Sequence, residues 1–214
     1  TGVQTCALPI YSFAGIVLAE TFVTAPFLIV AARSAFTAVD PVYDDVAATL
    51  GHRAGSRFFR VTLPIAWPAI RAEFDRVWLH PEDIPSFHEL SPDQARISKG
   101  TNWKTYALCI FGQPVAENCQ ACPETAAVLA SLPGLQNAWF SILAPGYHIP
   151  PHRGPTRALV RCHLGLRVPE AWERCWIRVD QDRYRWREGE CVLFDDTYEH
   201  EVLNDTGEYR AVLF

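Results

Sequence analysis

Short runs in which apolar and polar residues alternate dominate the chain from Asn137 onward. The runs are AWFSILA, RALVRCHLGLRV, RCWIRVD, YRWR, ECVLFD, HEVLN and EYRAVLF, and Pro, Gly and Asp residues separate them. A period of two is typical of a β-strand whose two faces meet different surroundings. Many short strands between turn residues are typical of a barrel or jelly roll. This part of the chain is therefore predicted to be mainly β.

The preceding stretch predicts helices that flank the β structure. Residues 71–80, RAEFDRVWLH, have the apolar spacing of a short amphipathic helix. A proline-rich loop then leads into a strand-like run at Lys104–Phe111. The segment PETAAVLASLPG predicts a further helix, with Glu124 in its first turn and Gly134 as its stop.

The longest apolar run covers residues 11–33 and is interrupted only by Glu20. Its length, with Arg33 closing it, predicts a transmembrane helix, and a buried helix of a globular protein is the alternative. Residues 1–10, TGVQTCALPI, resemble a translated sequencing adapter. We exclude them from the fold prediction, as we would a cloning scar.

The stretch after this run is similar to a loop of membrane permeases. Asp45, Gly51 and Leu63 have the spacing of the EAA loop of ABC-transporter permeases, closest to the molybdate type. The resemblance implies that residues 11–66 are a permease fragment whose parent protein contacts a membrane and an ATP-binding subunit. One helix and a loop cannot enclose a translocation path. We expect a domain boundary at Trp67 and poor packing across it.

Composition narrows the possible functions. The 214 residues carry a net charge of -5, so neither a nucleic acid nor an anionic membrane surface is an expected partner. The seven cysteines are irregularly spaced and no secretory signal is visible, which predicts free thiols in a reducing compartment. Cys119 and Cys122 form a CxxC pair without a second ligand pair, so a structural role is predicted over zinc or redox chemistry. The absence of methionine and the apolar ending RAVLF predict a fragment truncated at both ends.

Polar residues interrupt the predicted strands at a few positions. Arg161 and His163 share one face of the run Leu159–Leu166, whose other face is apolar. A buried charge needs a partner, so this face would line a cavity, and a solvated outer face is the alternative. Arg210 lies among apolar neighbours in EYRAVLF, and His200 lies in EHEV. Together these residues predict a lined pocket.

His152 lies in IPPHRGP, where two prolines stiffen the approach and Gly154 leaves room beside the ring. Imidazole nitrogens bind Fe(II), and guanidinium groups hold carboxylates through two hydrogen bonds. His152 and His200, with Arg161 and Arg210, therefore predict a non-haem iron site with a dicarboxylate cosubstrate. A loop histidine ordered by its prolines is the alternative for His152.

Residues 67–214 resemble the aspartyl/asparaginyl β-hydroxylase family of Fe(II)- and 2-oxoglutarate-dependent dioxygenases. The resemblance rests on SILAPGYHIPPHRGP, RCHLGLRVP, WREGE and FDDTYEHEVLNDT. It implies that His152 and His200 are the two iron ligands and that the fold is a double-stranded β-helix, or jelly roll, with flanking helices. The residues that it assigns to 2-oxoglutarate are Ser141, Arg161, His163 and Arg210.

The resemblance also implies the reaction. Such enzymes hydroxylate an unactivated C–H bond while 2-oxoglutarate is converted to succinate and CO₂. The substrate stays open between the β-carbon of an aspartyl, asparaginyl or other amino-acid unit and an acyl chain of a lipid. The rival functions are a permease subunit fragment and a cupin-like binding module without catalysis. We expect the oxygenase domain in the cytoplasm and an inner-membrane origin for the N-terminal fragment.

One ligand of the usual site is absent. Most 2-oxoglutarate oxygenases have a carboxylate two residues after the first histidine, where this chain has Gly154. The resembled family lacks it too. We expect water to fill the position and Asp196, four residues before His200, to hold that water. A dead site, or chloride in that position as in halogenases, is the alternative.

Overall fold

The structure is a computed structural model, and it describes residues 54–98, 100–154, 156 and 159–214. The predicted transmembrane helix, the adapter-like residues and the permease-like loop as far as residue 53 lie outside the described residues. Among the described residues, no helix combines the length and the apolar character that crossing a membrane requires.

Helices precede and flank the sheets. The α-helices of the described part are α1 (Ala54–Arg57), α2 (Leu63–Val77), α3 (Phe87–Leu90), α4 (Ala116–Ala121) and α5 (Pro123–Ala130). A π-helical segment, Phe58–Thr62, joins α1 to α2. Shorter 3-10 helices are Pro81–Asp83, Pro92–Gln94 and Trp172–Arg174.

The described residues form ten β-strands in two antiparallel sheets. They are β1 (Trp103–Ile110), β2 (Gln113–Pro114), β3 (Ala138–Leu143), β4 (Tyr147–His152), β5 (Arg161–Arg167), β6 (Cys175–Val179), β7 (Asp182–Tyr184), β8 (Cys191–Phe194), β9 (His200–Asn204) and β10 (Arg210–Leu213). The large sheet has the order β2-β1-β3-β10-β5-β8, and the small sheet has the order β4-β9-β6-β7. From β3 onward the chain passes back and forth between the sheets, which is the strand order of a jelly roll. The predicted mainly β fold is confirmed.

Two strands differ from the sequence prediction. No strand was predicted over the IPPH segment, and a loop was the alternative for His152, yet the segment belongs to β4, which pairs with β9. Pro150 and Pro151 lack backbone donors, and the pairing shifts register between Ile149 and His152, so a bulge accommodates the prolines. The predicted strand YRWR does not form as such, because β7 follows a turn at Asp180 and ends at Tyr184, the first residue of that run, and residues 185–187 lie outside the strands.

Two hydrophobic clusters hold the layers together. The first lies between the helices and the large sheet and includes Ile70, Phe74 and Phe140. The second lies between the two sheets and includes Trp186 and Ile177. The helices cover one face of the large sheet and the small sheet covers the other, so that each apolar face is buried. The second cluster surrounds the cavity described below.

Helix α2 crosses the expected boundary at Trp67. Leu63 and Ala66 precede that residue, and both are buried in the same cluster as Phe74. The expectation that residues 11–66 pack poorly is therefore wrong for these two side chains. A continuous helix buries its whole apolar stripe, so a change in sequence character within one turn does not end the packing.

Cys122 lies at the junction of α4 and α5 and has no exposed surface. Burial raises the pKa of its thiol to about 12. The Cys119 thiol donates a hydrogen bond to the Leu108 carbonyl oxygen at 3.2 Å. Both cysteines are thus packed into the fold, and their structural role stays a prediction.

A buried carboxylate joins α2 to α5. The Glu73 side chain is 2% exposed and accepts hydrogen bonds from the backbone amides of Glu124 at 2.9 Å and Thr125 at 2.8 Å. It also accepts one from the Thr125 hydroxyl at 2.6 Å. The first amides of a helix have no partners within it, and negative charge is favourable at that end. Glu73 therefore caps α5 from another helix.

Glu73→Gln should lower the free energy of unfolding by about 2–3 kcal/mol, because an amide keeps the shape but has one accepting oxygen and no charge. Urea unfolding followed by circular dichroism measures the difference. Glu82→Gln, on an exposed 3-10 helix, is the matched control and should change stability by less than about 0.5 kcal/mol. Equal unfolding midpoints for the two variants would show that the Glu73 contacts do not stabilise the fold.

Candidate active site

One cleft between the two sheets is lined by all the residues that the sequence predicted for the site. It encloses roughly 670 Å³ of space that opens to solvent. The predicted residues that it brings together are Ser141, His152, Arg161, His163, Asp196, His200 and Arg210. Phe87 of α3 and Gln94 of a 3-10 helix contribute from the helical segment. Residues far apart in sequence thus share one cavity.

The β4–β9 pairing places the two histidines together. His152 and His200 are direct cross-strand partners, and their ring centroids are 4.1 Å apart. The Nδ1 atom of His152 lies 2.8 Å from the Pro150 carbonyl oxygen, and that of His200 lies 3.0 Å from the Tyr198 carbonyl oxygen. A carbonyl can only accept, so each Nδ1 carries the hydrogen. Each Nε2 is then left with its lone pair free.

Both rings are held in the neutral form. Burial, followed by repulsion from His200, lowers the pKa of His152 to about 4. Burial also lowers the pKa of His200. A neutral imidazole with a free Nε2 is the form that binds a metal. Two such rings side by side fit a first-row metal ion such as Fe(II).

No third protein ligand joins these two histidines among the described residues. Within that part of the chain, the group of three possible ligands that lie close enough to share an ion is His80, Glu82 and Asp83, which is exposed. Exposed acidic groups are common without a metal. Asp196 lines the cavity but does not form such a group with His152 and His200.

Arg210 is a buried cation that has no counter-charge among the residues that the structure describes. Its side chain is 1% exposed, and its Nε and Nη1 atoms have no hydrogen-bond partner in that part of the chain. The guanidinium lies over the Trp186 ring at 4.6 Å, and burial lowers its pKa to about 10. An uncompensated buried charge costs several kcal/mol. This position therefore fits a carboxylate ligand, which could accept two hydrogen bonds from the fork.

His163 and Ser141 complete the same region. Both ring nitrogens of His163 are buried and have no partner within the described part of the chain. Burial together with the charge of Arg210 holds the pKa of His163 well below the ordinary value. The Ser141 oxygen accepts a hydrogen bond from the Trp103 indole at 3.0 Å, which leaves its hydroxyl hydrogen to donate. In the sheet, Ser141 pairs with Val212, two residues after Arg210. Ser141 and Arg210 therefore share a face of the sheet.

Arg161 differs from its predicted role in one respect. Its Nε donates to Oδ2 of Asp196 at 2.7 Å, so part of the guanidinium is already committed to a protein carboxylate. Its Cζ lies 5.0 Å from the centre of the Phe214 ring. The Oδ1 atom of Asp196 is buried and has no hydrogen-bond partner among the described residues. One oxygen of Asp196 is thus held in place and the other remains free to accept.

Gly154 and Asp196 are in close contact. The Gly154 amide donates to the Asp196 carbonyl oxygen at 2.7 Å. A Cβ atom on residue 154 would overlap with the carboxylate carbon and both carboxylate oxygens of Asp196. The carboxylate of Asp196 therefore occupies the space in which a side chain at position 154 would begin. Only glycine fits there while Asp196 keeps this position.

Sequence reasoning missed the aromatic residues of the cavity. Trp186 lies beneath Arg210, and Trp103 binds Ser141. Phe194 contacts both His163 and His200, with ring centroids 5.0 Å and 5.5 Å away. Trp186 lies in the WREGE motif, but a tryptophan in a strand-like run is as typical of an ordinary core as of a binding site.

Comparison with known proteins places the chain in the class of hydroxylases. Residues 65–214 match the family described as Aspartyl/Asparaginyl beta-hydroxylase, and the chain belongs to this family. Hydroxylases of the family generally depend on iron. None of the proteins compared below is a permease, and the adapter and permease resemblances of residues 1–66 gain no support.

Two curated relatives indicate the range of the family. An ornithine lipid ester-linked acyl 2-hydroxylase of Rhizobium tropici is 47% identical over 148 residues, which are 69% of this chain and 53% of the relative. The aspartyl/asparaginyl beta-hydroxylase of Homo sapiens is 33% identical over 126 residues, which are 56% of this chain and 16% of the relative. The chain thus spans about half of the first protein and a much smaller share of the second.

Two of the solved structures to which the chain is similar are named as cupin domains. The Cnp3 cupin domain of Schizosaccharomyces pombe has a TM-score of 0.35 at 9% identity and covers 52% of this chain and 61% of its own. A cupin 2 conserved barrel domain protein from Salinispora arenicola CNS-205 has a TM-score of 0.33 at 15% identity, with coverages of 56% and 80%.

Gly154→Ala should displace the Asp196 carboxylate and weaken metal binding at the histidines roughly tenfold or more, because the added carbon overlaps with that carboxylate. The same change in an Asp196→Gly background should cost little, since the space is then open. A double-mutant cycle of Fe(II) affinities, measured by anaerobic titration, gives the coupling between the positions. Additive effects of the two changes would contradict the contact.

Proposed function

We propose that this chain is an Fe(II)- and 2-oxoglutarate-dependent dioxygenase that hydroxylates an acyl chain of a lipid. The observation that carries the proposal is the buried, unpartnered Arg210 in the same cleft as the paired rings of His152 and His200. A metal site alone would not need this cation. A binding module without catalysis would have no use for a dicarboxylate clamp beside two metal-ligating rings.

The residues divide the work as follows. The Nε2 atoms of His152 and His200 would hold the iron, each ring being fixed by its Nδ1 hydrogen bond. Arg210 and the Ser141 hydroxyl would bind the distal carboxylate of 2-oxoglutarate. The neutral His163 ring, with two free nitrogens, would donate to the cosubstrate from the side.

When bound, iron with 2-oxoglutarate and O₂ supplies the oxidising chemistry that places a hydroxyl group on a C–H carbon and yields succinate and CO₂. The chain must keep stray water and side chains away from that chemistry. The cavity wall near the metal position is aromatic, with Phe194 and Phe214 among the lining residues. The apolar wall excludes water, while the few polar groups select the carboxylate.

Asp196 would act without binding the metal directly. The hydrogen bond from Arg161 to Oδ2 fixes the orientation of the carboxylate. Oδ1 would then be in position to accept a hydrogen bond from a water on the metal. Its negative charge would offset part of the positive charge of the iron. Arg161 would orient this carboxylate through Nε and could still reach the cosubstrate with its terminal nitrogens.

The lipid substrate is favoured by the relatives. The rhizobial protein, whose name specifies the acyl group of an ornithine lipid, is the more similar of the two relatives by identity and by the share of this chain covered. The β-carbon of an aspartyl or asparaginyl unit is the competing substrate, after the human relative.

The test of the proposal is turnover by the full chain with Fe(II) and 2-oxoglutarate. Ornithine lipid should stimulate succinate formation and gain one oxygen atom by mass spectrometry, whereas an aspartyl peptide should not. His152→Ala and His200→Ala should each reduce turnover at least about 100-fold, because each removes an iron ligand. His80→Ala, which changes an exposed histidine, should leave it unchanged. Stimulation by the peptide and not by the lipid would reverse the substrate assignment.

Arg210→Met should weaken 2-oxoglutarate binding about 10- to 150-fold for each charge-assisted hydrogen bond lost, from ~1.5–3 kcal/mol per bond. Methionine keeps most of the side-chain length and removes an uncompensated charge. Without ligand, the unfolding temperature of the variant should therefore be no lower than that of the original chain. Calorimetric titration and thermal unfolding measure the two effects. Arg183→Met, an exposed arginine over Trp176, is the control. If Arg210→Met left the affinity for 2-oxoglutarate unchanged, Arg210 would not be the residue that binds its distal carboxylate.

A further inference from the structure

Two thiols lie side by side on the face of the large sheet that is turned away from the catalytic cleft. The β5–β8 pairing puts Cys191 opposite Leu164, which is two residues from Cys162 along β5. The two cysteines are therefore diagonal neighbours on one face of the sheet. A side-chain hydrogen bond joins them. The proposed metal and cosubstrate sites use neither thiol.

Both thiols can meet a small solute. Cys162 and Cys191 are half-buried, and both line a cavity of about 110 Å³ that opens to solvent on this side of the sheet. A water molecule takes about 30 Å³ in the liquid, so the cavity admits molecules of that size. Val160 also lines it, and its side chain is exposed.

The hydrogen bond makes the two thiols different. It lowers the pKa of Cys162, and the same bond, followed by burial, raises the pKa of Cys191. Among the six cysteines that the structure describes, Cys162 is the one whose pKa is lowered. The thiolate is the nucleophilic form of cysteine. Cys162 is therefore the reactive sulfur, and Cys191 keeps its proton beside it.

We propose that Cys162 is a modification site for hydroperoxides and that Cys191 converts its oxidised form to a disulfide. A reactive, accessible thiol next to a second thiol is the arrangement found in cysteines that sense oxidants. Disulfides that form transiently in a reducing compartment are usually of this kind. The modification does not depend on the proposed function, whereas its effect on 2-oxoglutarate rests on that function.

The reaction consumes one peroxide for each disulfide. The Cys162 thiolate attacks a peroxide oxygen, so that an S–O bond forms and the O–O bond breaks. The sulfur is oxidised to a sulfenic acid, and hydrogen peroxide leaves as water after taking a proton from solvent. The Cys191 sulfur then attacks the sulfenic sulfur, the S–O bond breaks, and the hydroxyl leaves with the Cys191 proton as a second water. Two molecules of a small thiol reverse the change by exchange.

A disulfide at this position would pull β5 toward β8. Diagonal neighbours in an antiparallel pair are about 7–8 Å apart, and the Cα atoms of bridged cysteines are usually about 4.4–6.8 Å apart. Arg161 and His163 flank Cys162 on β5, and both line the catalytic cleft. The movement would displace two side chains that the family resemblance assigns to 2-oxoglutarate. Oxidation should therefore weaken the binding of 2-oxoglutarate.

Treatment of the full chain with hydrogen peroxide, in the presence of a chelator, tests the modification site without iron chemistry. Peptide mass spectrometry without reduction should find Cys162 joined to Cys191, while Cys175, buried between the sheets, stays reduced. In Cys191→Ser, dimedone should trap a sulfenic acid on Cys162. In Cys162→Ser, Cys191 should stay unmodified. Cys119→Ser, which changes a thiol of raised pKa, is the matched control and should still form the disulfide.

Calorimetric titration of 2-oxoglutarate measures the effect on the site. Peroxide and chelator are first removed, and Mn(II), which does not reduce disulfides, is added in place of Fe(II). The oxidised chain should bind at least about tenfold more weakly than the reduced chain, because a misplacement of about 1 Å can cost up to about 100-fold. A small thiol should restore the affinity, and peroxide should not change it in Cys162→Ser. Near-ultraviolet circular dichroism checks that each form is folded.

Two results would overturn the modification site. One is a Cys162–Cys191 pair that stays reduced at peroxide concentrations that oxidise glutathione. The other is a Cys191 that is oxidised as readily in Cys162→Ser as in the original chain. A disulfide that leaves 2-oxoglutarate affinity unchanged would overturn the effect on the site. If the disulfide forms but even the reduced chain does not bind 2-oxoglutarate, the modification site is supported and the proposed function is contradicted.

Discussion

The buried guanidinium of Arg210 is the constraint on which the interior of this jelly roll depends. Contact with the Trp186 ring offsets about 2 kcal/mol of the cost of desolvating the charge, and the full cost is several kcal/mol. The sheets therefore enclose a cation that is incompletely compensated without a ligand. The proposed dicarboxylate ligand would relieve this penalty, and that relief would contribute to its affinity.

The proposed metal site depends on a different kind of constraint, which is backbone register. His152 reaches His200 because β4 continues through two prolines and absorbs the lost hydrogen bonds in a bulge. Each ring is then tied by Nδ1 to a carbonyl two residues before it in the chain. The orientation of both imidazoles is thus decided by the strands that carry them. Long-range packing has only to bring the two strands together.

Much of the fold could be predicted because alternation is a local property. The faces of β5 followed from Arg161, His163 and their apolar neighbours, and the structure places them as the alternation predicts. The strand through IPPH was missed because proline has no backbone N–H to donate in a sheet, so two prolines in a row argue against a strand. The packing of Leu63 and Ala66 against the domain was not predicted, because a change in sequence character at Trp67 does not show whether a helix continues. The Arg161–Asp196 pair joins residues 35 positions apart, and only tertiary structure can show it.

The contact between Gly154 and Asp196 also limits how such a site can change over generations. Most 2-oxoglutarate oxygenases carry their acid on the histidine motif, whereas here a carboxylate from the segment between β8 and β9 fills that space. A first step that adds a side chain at 154 collides with Asp196, and a first step that removes Asp196 leaves no acid at all. Either intermediate is impaired, so the two positions behave as a locked pair. This lineage can exchange one arrangement for the other only by changing both residues together.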